Sequence, residues 1–123
     1  MPKRVLNVGQ CPPDHAAIRG MLERNFDVEI VKTKLPEDTL AQLRAGKFDL
    51  VLVNRKLDED YSDGTEILKK IKADPALAAT PVMVVTNFAE HQAVAVAAGA
   101  EYGFGKAEVG QPETVERLRK ILG

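Results

Sequence analysis

The sequence predicts an α/β protein in which a doubly wound, five-stranded parallel sheet is flanked by five helices. Strand-like and helix-like segments alternate about five times along the 123 residues, which is typical of a parallel sheet with helices on both faces. Two of the strand-like segments, residues 50–53 and 81–86, are apolar almost throughout, as strands covered on both faces must be. Right-handed crossovers between such strands give one sandwich, so residues 1–123 are expected to form a single domain.

Each strand is predicted from a short apolar or alternating segment that ends at a turn signal. The predicted strands cover residues 5–8, 28–32, 50–53, 81–86 and 102–105. The second alternates apolar and polar side chains, which indicates a half-buried strand, and the last is short and weakly apolar. Residues 11–14 are expected to form a turn, because neither Pro12 nor Pro13 can donate a backbone hydrogen bond.

The helices are predicted from apolar side chains at helical spacing, with proline or glycine at their boundaries. They cover residues 15–25, 36–45, 65–73, 89–98 and 112–122. Pro36 suits the first turn of the second helix, Gly46 ends that helix, and the pair Asp74-Pro75 ends the third. For the alanine- and valine-rich fourth helix, core packing is favoured over a partner surface for its small apolar residues, Ala89, Ala93, Val94, Val96 and Ala97.

Composition excludes several classes of function. With 17 basic and 18 acidic residues and a formal net charge of -1, the chain has no electrostatic reason to bind nucleic acid or an anionic membrane. No apolar run is long enough to span a bilayer, and the basic N-terminus is not followed by the apolar region of a signal peptide. The single cysteine, Cys11, excludes an internal disulfide and is typical of a reducing cytoplasm, where we expect the protein to act.

The polar residues at the ends of the predicted strands are the first candidates for a site. Working sites in doubly wound folds lie at the carboxyl ends of the strands. Along the chain, that rule selects four short groups of residues: Gly9 and Gln10; Asn54, Arg55 and Lys56; Thr86 and Asn87; and Gly105 and Lys106.

Four segments around these positions resemble the response-regulator receiver family, and the resemblance covers essentially the whole chain. They are residues 48–53 before the phosphoacceptor position, 63–68 at the turn into the third helix, 81–86 ending in the signalling hydroxyl, and 98–100 before the lysine. The resemblance implies a flavodoxin-like fold with receiver topology and a role in two-component signal transduction or a phosphorelay.

The resemblance also implies a particular chemistry, which this chain keeps only in part. In the family an aspartate accepts the phosphoryl group, an acid pair helps it hold a divalent metal, and a hydroxyl and a lysine contact the phosphoryl oxygens. Thr86 and Lys106 match the last two groups. Asn54 replaces the phosphoacceptor, and Gly9 and Gln10 replace the acid pair. Since an amide is uncharged and a very poor nucleophile, we expect no metal, no cofactor, no phosphorylation at Asn54 and no enzymatic activity.

The conformational relay of the family is altered as well. Gly103 replaces the aromatic residue that usually lies three residues before the lysine. Side-chain alternation along the last strand is expected to turn Tyr102 and Phe104 away from the place of that aromatic. Lys106 lacks the aspartates that would balance it, and an unpaired buried ammonium is costly. We expect Lys106 to turn to solvent or pair with an acid of residues 58–63, in preference to holding an anion or the Asn54 carbonyl.

Other polar groups admit both a plain and a functional interpretation. The acids within residues 58–63 could hold a cation, but their spacing matches no calcium loop and a solvated loop is favoured. Cys11 and His15 could be a nucleophile and base, but no oxyanion donor or third residue accompanies them. Arg55 and Lys56 could form an anion pocket with the lysine after the fifth strand, and a solvated basic rim is favoured.

The expected function is that of a pseudo-receiver, a phosphorylation-independent domain that signals by protein–protein interaction. Its partner would be a kinase, regulator or other signalling protein, bound through the fourth helix, fifth strand and fifth helix, and a homodimer is also open. The chain ends soon after the fifth helix, so no output domain is expected. Two alternatives stay open. One is a phosphoaccepting receiver that uses Asp58 or Asp49, and the other is a small-ligand sensor on a flavodoxin-like scaffold.

Overall fold

A computed structural model describes residues 2–123 as one parallel sheet with helices on both faces, so only Met1 of the predicted domain lies outside the described residues. In chain order the elements are β1 (Lys3–Val8), α1 (Pro12–Asn25), β2 (Val28–Thr33), α2 (Pro36–Ala45), β3 (Leu50–Asn54), α3 (Gly64–Ala73), β4 (Val82–Val85), α4 (Ala89–Ala97), β5 (Glu101–Phe104) and α5 (Pro112–Leu122). The strand order is β2-β1-β3-β4-β5, and every pairing is parallel. The predicted doubly wound architecture is therefore confirmed.

The sheet separates two apolar cores. Since successive side chains of a strand point to opposite faces, neighbouring residues such as Val51 and Leu52 enter different cores. One core packs strand side chains against α2, α3 and α4, and its members include Leu6, Val8, Leu43, Val51, Val53, Ile67, Leu68, Ile71, Val82, Val84 and Ala95. The other packs against α1 and α5, and its members include Val5, Ile18, Met21, Leu22, Leu50, Leu52, Met83, Val85, Phe104, Val115 and Leu118.

Many predicted boundaries differ from the observed ones by one to three residues, and three of the differences change how a segment is understood. Residues 11–14 do not form a turn, because α1 already begins at Pro12 with Cys11 at its N-cap position. Prolines in the first helical turn cost no hydrogen bond, since the first N–H groups of a helix have no partner within it. β1 starts at Lys3, which pairs with Val28, and β5 begins and ends one residue earlier than predicted.

The prediction that the valines of α4 pack in the core is wrong. The helix buries only Gln92 and Ala95, whereas Val94 and Val96 are exposed. The one polar residue in the middle of this apolar helix therefore points inward. No helix within residues 2–123 combines the length and apolar character that crossing a membrane would require.

The sheet register brings the candidate residues to one edge. Val8 pairs with Val53, and Asn54 pairs with Val85. The residues that follow, Gly9 after β1 and Thr86 after β4, therefore emerge beside Asn54 at the carboxyl ends of the strands.

Candidate functional site

Asn54 ends β3 at the centre of this edge and is buried. Its Nδ2 donates a hydrogen bond of 3.2 Å to the carbonyl oxygen of Gly9. The same oxygen accepts a second bond of 2.9 Å from the backbone N–H of Asp58. A carboxylate has no hydrogen to donate, so an ionised aspartate at this place would set its negative charge against a carbonyl oxygen. The amide of Asn54 thus links the ends of β1 and β3.

Leu57, in the loop after β3, packs against Gly9 and fills the space where a side chain at position 9 would lie. Gly9 has a φ of +73°, which favours glycine, and a Cβ added there would overlap Cδ2 of Leu57. Leu57 is fully buried, although it lies in an otherwise polar loop. An apolar side chain therefore fills the space that a side chain at position 9 would need.

Gln10 is buried too, but it is not satisfied. Its exposed fraction is 3%, and within the described residues neither Nε2 nor Oε1 of its amide has a hydrogen-bond partner. Gln10 lines a cavity that also contacts Asp58. The two positions that correspond to the acid pair therefore differ. Leu57 fills the space beside Gly9, whereas within the described residues Gln10 keeps a buried amide without a hydrogen-bond partner.

These residues do not fit the divalent metal that the resemblance implies. Magnesium in proteins is bound through oxygen ligands, principally carboxylates. Gly9 offers no side chain, and the Asn54 amide directs its nitrogen to a carbonyl oxygen. Within residues 2–123, no group of three or more His, Cys, Asp and Glu side chains lies close enough together to hold a metal ion.

Lys106 is paired, but not with the acids that were expected. Its Nζ lies 2.7 Å from Oδ2 of Asp14 in the first turn of α1. The thiol of Cys11 donates to the same oxygen at 3.0 Å. Burial alone would raise the pKa of Asp14, but its hydrogen bonds with Lys106 and Cys11 and the charge of Lys106 together hold that pKa below its usual value. Lys106 is exposed, as expected for a side chain that turns to solvent. The expected alternative, a pairing with an acid of residues 58–63, is wrong, because α1 starts early enough to bring Asp14 within reach.

Asn54, Thr86 and Lys106 line one open cleft of about 200 Å³. Arg55, Lys56 and His91 line it as well, so every titratable side chain around it is basic. The hydroxyl of Thr86 is hydrogen-bonded to Nδ1 of His91 at 3.3 Å and accepts from the Phe88 N–H at 3.4 Å. Thr86 is therefore engaged with the start of α4 rather than free in the cleft.

Gly103 lies away from that cleft, and Gln92 of α4 occupies the space beside it. A Cβ at Gly103 would overlap the carbonyl oxygen of Val84 and crowd the Gln92 amide. The register between β4 and β5 is irregular here, which leaves ladder groups unpaired. Gln92 supplies the missing bonds, since its Nε2 donates to Val84 O at 2.9 Å and its Oε1 accepts from Gly103 N–H at 2.9 Å. Tyr102 and Phe104 point to the α5 side, as predicted, where Tyr102 packs beneath Arg117.

Cys11, His15, Asp60 and Asp63 have structural partners. His15 accepts a hydrogen bond of 2.9 Å at Nδ1 from the Asn7 amide, while Cys11 bonds to Asp14, so the thiol and the imidazole serve different neighbours. Asp63 caps α3 by accepting from the Thr65 N–H at 2.9 Å. Hydrogen bonds from Ser62 lower the pKa of Asp60. These contacts support the plain interpretation of both groups.

Three residues that sequence reasoning missed complete the site: Leu57, Asp14 and Gln92. Leu57 is the only apolar residue between Lys56 and Tyr61, which is a signal that it is buried. Gln92 interrupts an apolar helix at the same helical face as Ala95. No sequence signal marks Asp14 as the partner of a lysine 92 positions away, because only the sheet topology joins them.

Comparison with known proteins agrees with this fold. The sequence pattern described as the response regulator receiver domain matches residues 8–119. Among solved structures, a protein of Chloroflexus aurantiacus J-10-fl with a provisional response-regulator assignment is similar over 99% of this chain and 98% of its own, with a TM-score of 0.86 and 21% identity. The receiver domain of a DNA-binding response regulator from Colwellia psychrerythraea 34H has a TM-score of 0.81 at 24% identity, covering 96% of both chains.

A chemotaxis protein has the same architecture. The response regulator CheY4 of Vibrio cholerae has a TM-score of 0.72 at 19% identity and is similar over 98% of this chain and 95% of its own. At these identities the likeness of the solved structures bears on the fold, whereas the match to residues 8–119 bears on the family.

Proposed function

The chain belongs to the response regulator receiver domain family, and we propose that within it this protein signals by docking to other proteins without being phosphorylated. Receiver domains of two-component response regulators interact with kinases and other signalling proteins. This protein would make such contacts as well, but phosphorylation would not control them.

The observation that carries the proposal is the hydrogen bond from Asn54 Nδ2 to Gly9 O. Asn54, at the position that corresponds to the phosphoacceptor, uses the N–H of its amide to join the ends of β1 and β3. Phosphoryl transfer to this position would need a carboxylate nucleophile and a metal to neutralise the developing charge. Position 54 has no carboxylate, and the packing of Leu57 against Gly9 leaves no room there for a side chain that could hold a metal.

The alternative phosphoacceptors have less support. Asp49 lies before β3, at the opposite end of the sheet, and its Oδ2 accepts a bond of 2.8 Å from the Arg4 N–H. Asp58 lies at the correct end and is exposed, and it shares its cavity with Glu59, Lys32 and Lys34. Within residues 2–123, neither position belongs to a group of three or more His, Cys, Asp and Glu side chains that could hold a metal ion.

The docking face proposed for the protein combines α4, β5 and α5. Its apolar side chains Phe88, Val94 and Tyr102 are exposed by 58%, 55% and 50%, and Val96 by 44%. Glu90 and His91 are the only titratable residues of α4. A partner with an apolar surface would cover these side chains and gain from their removal from water.

A phosphoryl mimic tests the phosphorylation-independent part of the proposal. Beryllofluoride with Mg²⁺ binds the aspartate of a receiver and imitates the phosphorylated state. We expect amide NMR signals of Thr86, Lys106 and α4 to stay unchanged on its addition, because Asn54 offers no carboxylate. Saturable shifts centred on Asn54 would contradict the proposal, and shifts centred on Asp58 would favour the alternative phosphoacceptor.

A second copy of the chain is one candidate partner for the docking face. Sedimentation at high protein concentration distinguishes it from a different protein. If copies pair through α4, the observed mass exceeds the 13.4 kDa of one chain, and Val94→Lys restores the single-chain value. A wild-type protein that stays at 13.4 kDa assigns the face to another protein.

A further inference from the structure

The amide of Gln10 is the strongest unexplained polar feature of the molecule. Gln10 is only 3% exposed, and within residues 2–123 neither the donor nor the acceptor of its side-chain amide has a hydrogen-bond partner. Buried polar groups in native proteins are nearly always hydrogen-bonded, so an exception calls for an explanation, of which a bound water or ligand is one. Gln10 would offer such a group one acceptor oxygen and two donor hydrogens.

A cavity of about 130 Å³ lies at the carboxyl ends of β1 and β2. Gly9, Gln10 and Pro12 line it from the β1 side, together with the four charged residues Lys32, Lys34, Asp58 and Glu59. The space exceeds what one water molecule needs by several-fold. It also lies beside the point where the strand order reverses, between β1 and β3, which is where ligands bind in open α/β sheets.

The charges of the cavity are separated by sign and by element. Lys32 and Lys34 come from β2 and the residue that follows it, whereas Asp58 and Glu59 come from the loop after β3. All four side chains are exposed. None of them takes part in an ion pair within the described part of the chain. Two basic and two acidic groups thus border the same space without neutralising each other.

We propose that this cavity binds a small zwitterion that carries a carboxylate and an ammonium group. The carboxylate would lie toward Lys32 and Lys34, the ammonium group toward Asp58 and Glu59, and the Gln10 amide would hydrogen-bond the ligand from the floor. An anion alone would leave the two acids facing it, and a cation alone would face the two lysines. A ligand with both charges pairs with both sets.

The site is separate from the basic cleft around Asn54, Thr86 and Lys106. Gly9 and Asn54 connect the two, because the Asn54 amide and the Asp58 N–H both bond to the Gly9 carbonyl. A ligand that draws on Asp58 would therefore act on the same backbone atom that orients Asn54. Ligand binding here does not depend on the proposed docking function, and it is tested on the isolated chain.

Three probes of one chain length separate the contributions of the two charges. The full chain, labelled with ¹⁵N, is titrated with 4-aminobutyrate, with butyrate and with butylamine, and the side-chain NH₂ signals of Gln10 report contact directly. We expect a saturable shift with 4-aminobutyrate at millimolar concentration. Butyrate and butylamine, each lacking one charge, should bind at least about tenfold more weakly.

Variants assign the binding to the cavity. Lys34→Ala and Glu59→Ala change exposed side chains, so both should fold, and each should weaken 4-aminobutyrate binding by about tenfold. Lys69→Ala, an exposed lysine of α3 outside the cavity, should leave the affinity unchanged. Gln10→Leu removes the side-chain NH₂ signals, so binding to that variant is followed at the backbone amide of Gly9. The shift of that amide on adding 4-aminobutyrate should disappear.

Several results would overturn the proposal. They are the absence of a saturable shift with 4-aminobutyrate, equal shifts with all three probes, or full affinity in Lys34→Ala and Glu59→Ala. A crystal grown with 4-aminobutyrate that shows only ordered water on the Gln10 amide would overturn it as well, because water would then account for the unpartnered groups.

Discussion

The side-chain amide of Asn54 and the carbonyl of Gly9 meet at 3.2 Å, and the hydrogen on that amide is what an aspartate would lack. Because Asn54 is 7% exposed, water cannot readily replace the lost bond. An ionised carboxylate would instead be buried against a carbonyl oxygen, which costs more than a missing bond. The residue at the phosphoacceptor position is thus part of what holds the ends of β1 and β3 together.

We predict that Asn54→Asp destabilises the fold by about 1–3 kcal/mol at neutral pH, measured by urea unfolding. The loss should shrink in acid, because a protonated carboxyl regains a donor. Asn87→Asp is the matched control, since Asn87 is exposed and uses its Oδ1 to accept from the Ala107 N–H at 3.1 Å. An aspartate keeps that acceptor, so the control should lose little. Equal stability of wild type and Asn54→Asp would contradict the role given to the amide.

His15 gives the protein a pH-dependent component of stability. Burial, followed by the charges of Lys32 and Arg19, lowers the pKa of His15 from its usual 6.5. Its Nδ1 accepts from Asn7, which fits the neutral ring. Since the folded pKa is below the unfolded one, the stabilisation is complete above about pH 6.5 and is lost as the pH falls through the folded value.

We therefore predict that His15→Gln, which keeps an acceptor for Asn7, flattens the stability curve between pH 7 and pH 5. The difference should be small, because the half-buried ring is screened by water. Unfolding by urea at several pH values measures it. Parallel curves for the two proteins would show that His15 does not titrate differently on folding.

At the scale of elements, Gln92 connects α4 to the irregular part of the sheet between β4 and β5. Its amide replaces the ladder bonds that the shifted register leaves unmade, and Gly103 keeps the space open for it. The place of a mobile aromatic side chain is therefore taken by a buried, doubly bonded amide. This bracing holds the proposed docking face in one arrangement.

We predict that Gln92→Leu costs about 2–4 kcal/mol, since it leaves a buried N–H and a buried C=O without partners. Hydrogen exchange of the Gly103 amide should accelerate more than that of amides in β1. Gln111→Leu is the control, because Gln111 is exposed and its bond to Ala107 O is long at 3.4 Å. Unchanged protection of Gly103 in Gln92→Leu would contradict the bracing role.

Most elements could be predicted because their signals are local. Pro36 and Pro112 open helices, Gly99 follows one with a φ of +108°, and 50–53 reads as a buried strand. The start of α1 was placed too late because two prolines signal a turn as well as a first helical turn. The inward face of α4 was misassigned because hydrophobicity favours Val94 and Val96, whereas hydrogen bonding to the sheet favours Gln92.

The site was predictable in position but not in its contacts. Gly9, Gln10, Asn54, Thr86 and Lys106 follow their strands, so the fold alone brings them to one edge. Their partners come from elsewhere. Lys106 bonds Asp14 rather than an acid of residues 58–63, and Leu57 rather than a polar group covers Gly9. Such pairings depend on how α1 and the loop after β3 are placed on the sheet, which spacing does not encode.

At the scale of the whole molecule, the two apolar cores and the parallel sheet have the receiver architecture, and we propose that the edge at the carboxyl ends of the strands lacks its phosphoryl chemistry. The acid pair is closed by Leu57 at one position and left as an unpartnered amide at the other. Thr86 is hydrogen-bonded to His91, and Lys106 forms an ion pair with Asp14. Restoring a single carboxylate should not restore the site.

Intact mass spectrometry after incubation with acetyl phosphate and Mg²⁺ tests the central claim most directly. Wild type and Asn54→Asp are compared with a receiver that has an intact acid pair and phosphoacceptor aspartate. We predict that wild type keeps its mass and that Asn54→Asp gains no stoichiometric adduct, while the intact receiver gains one phosphoryl group per chain. One phosphoryl group per chain on the wild-type protein would contradict the claim.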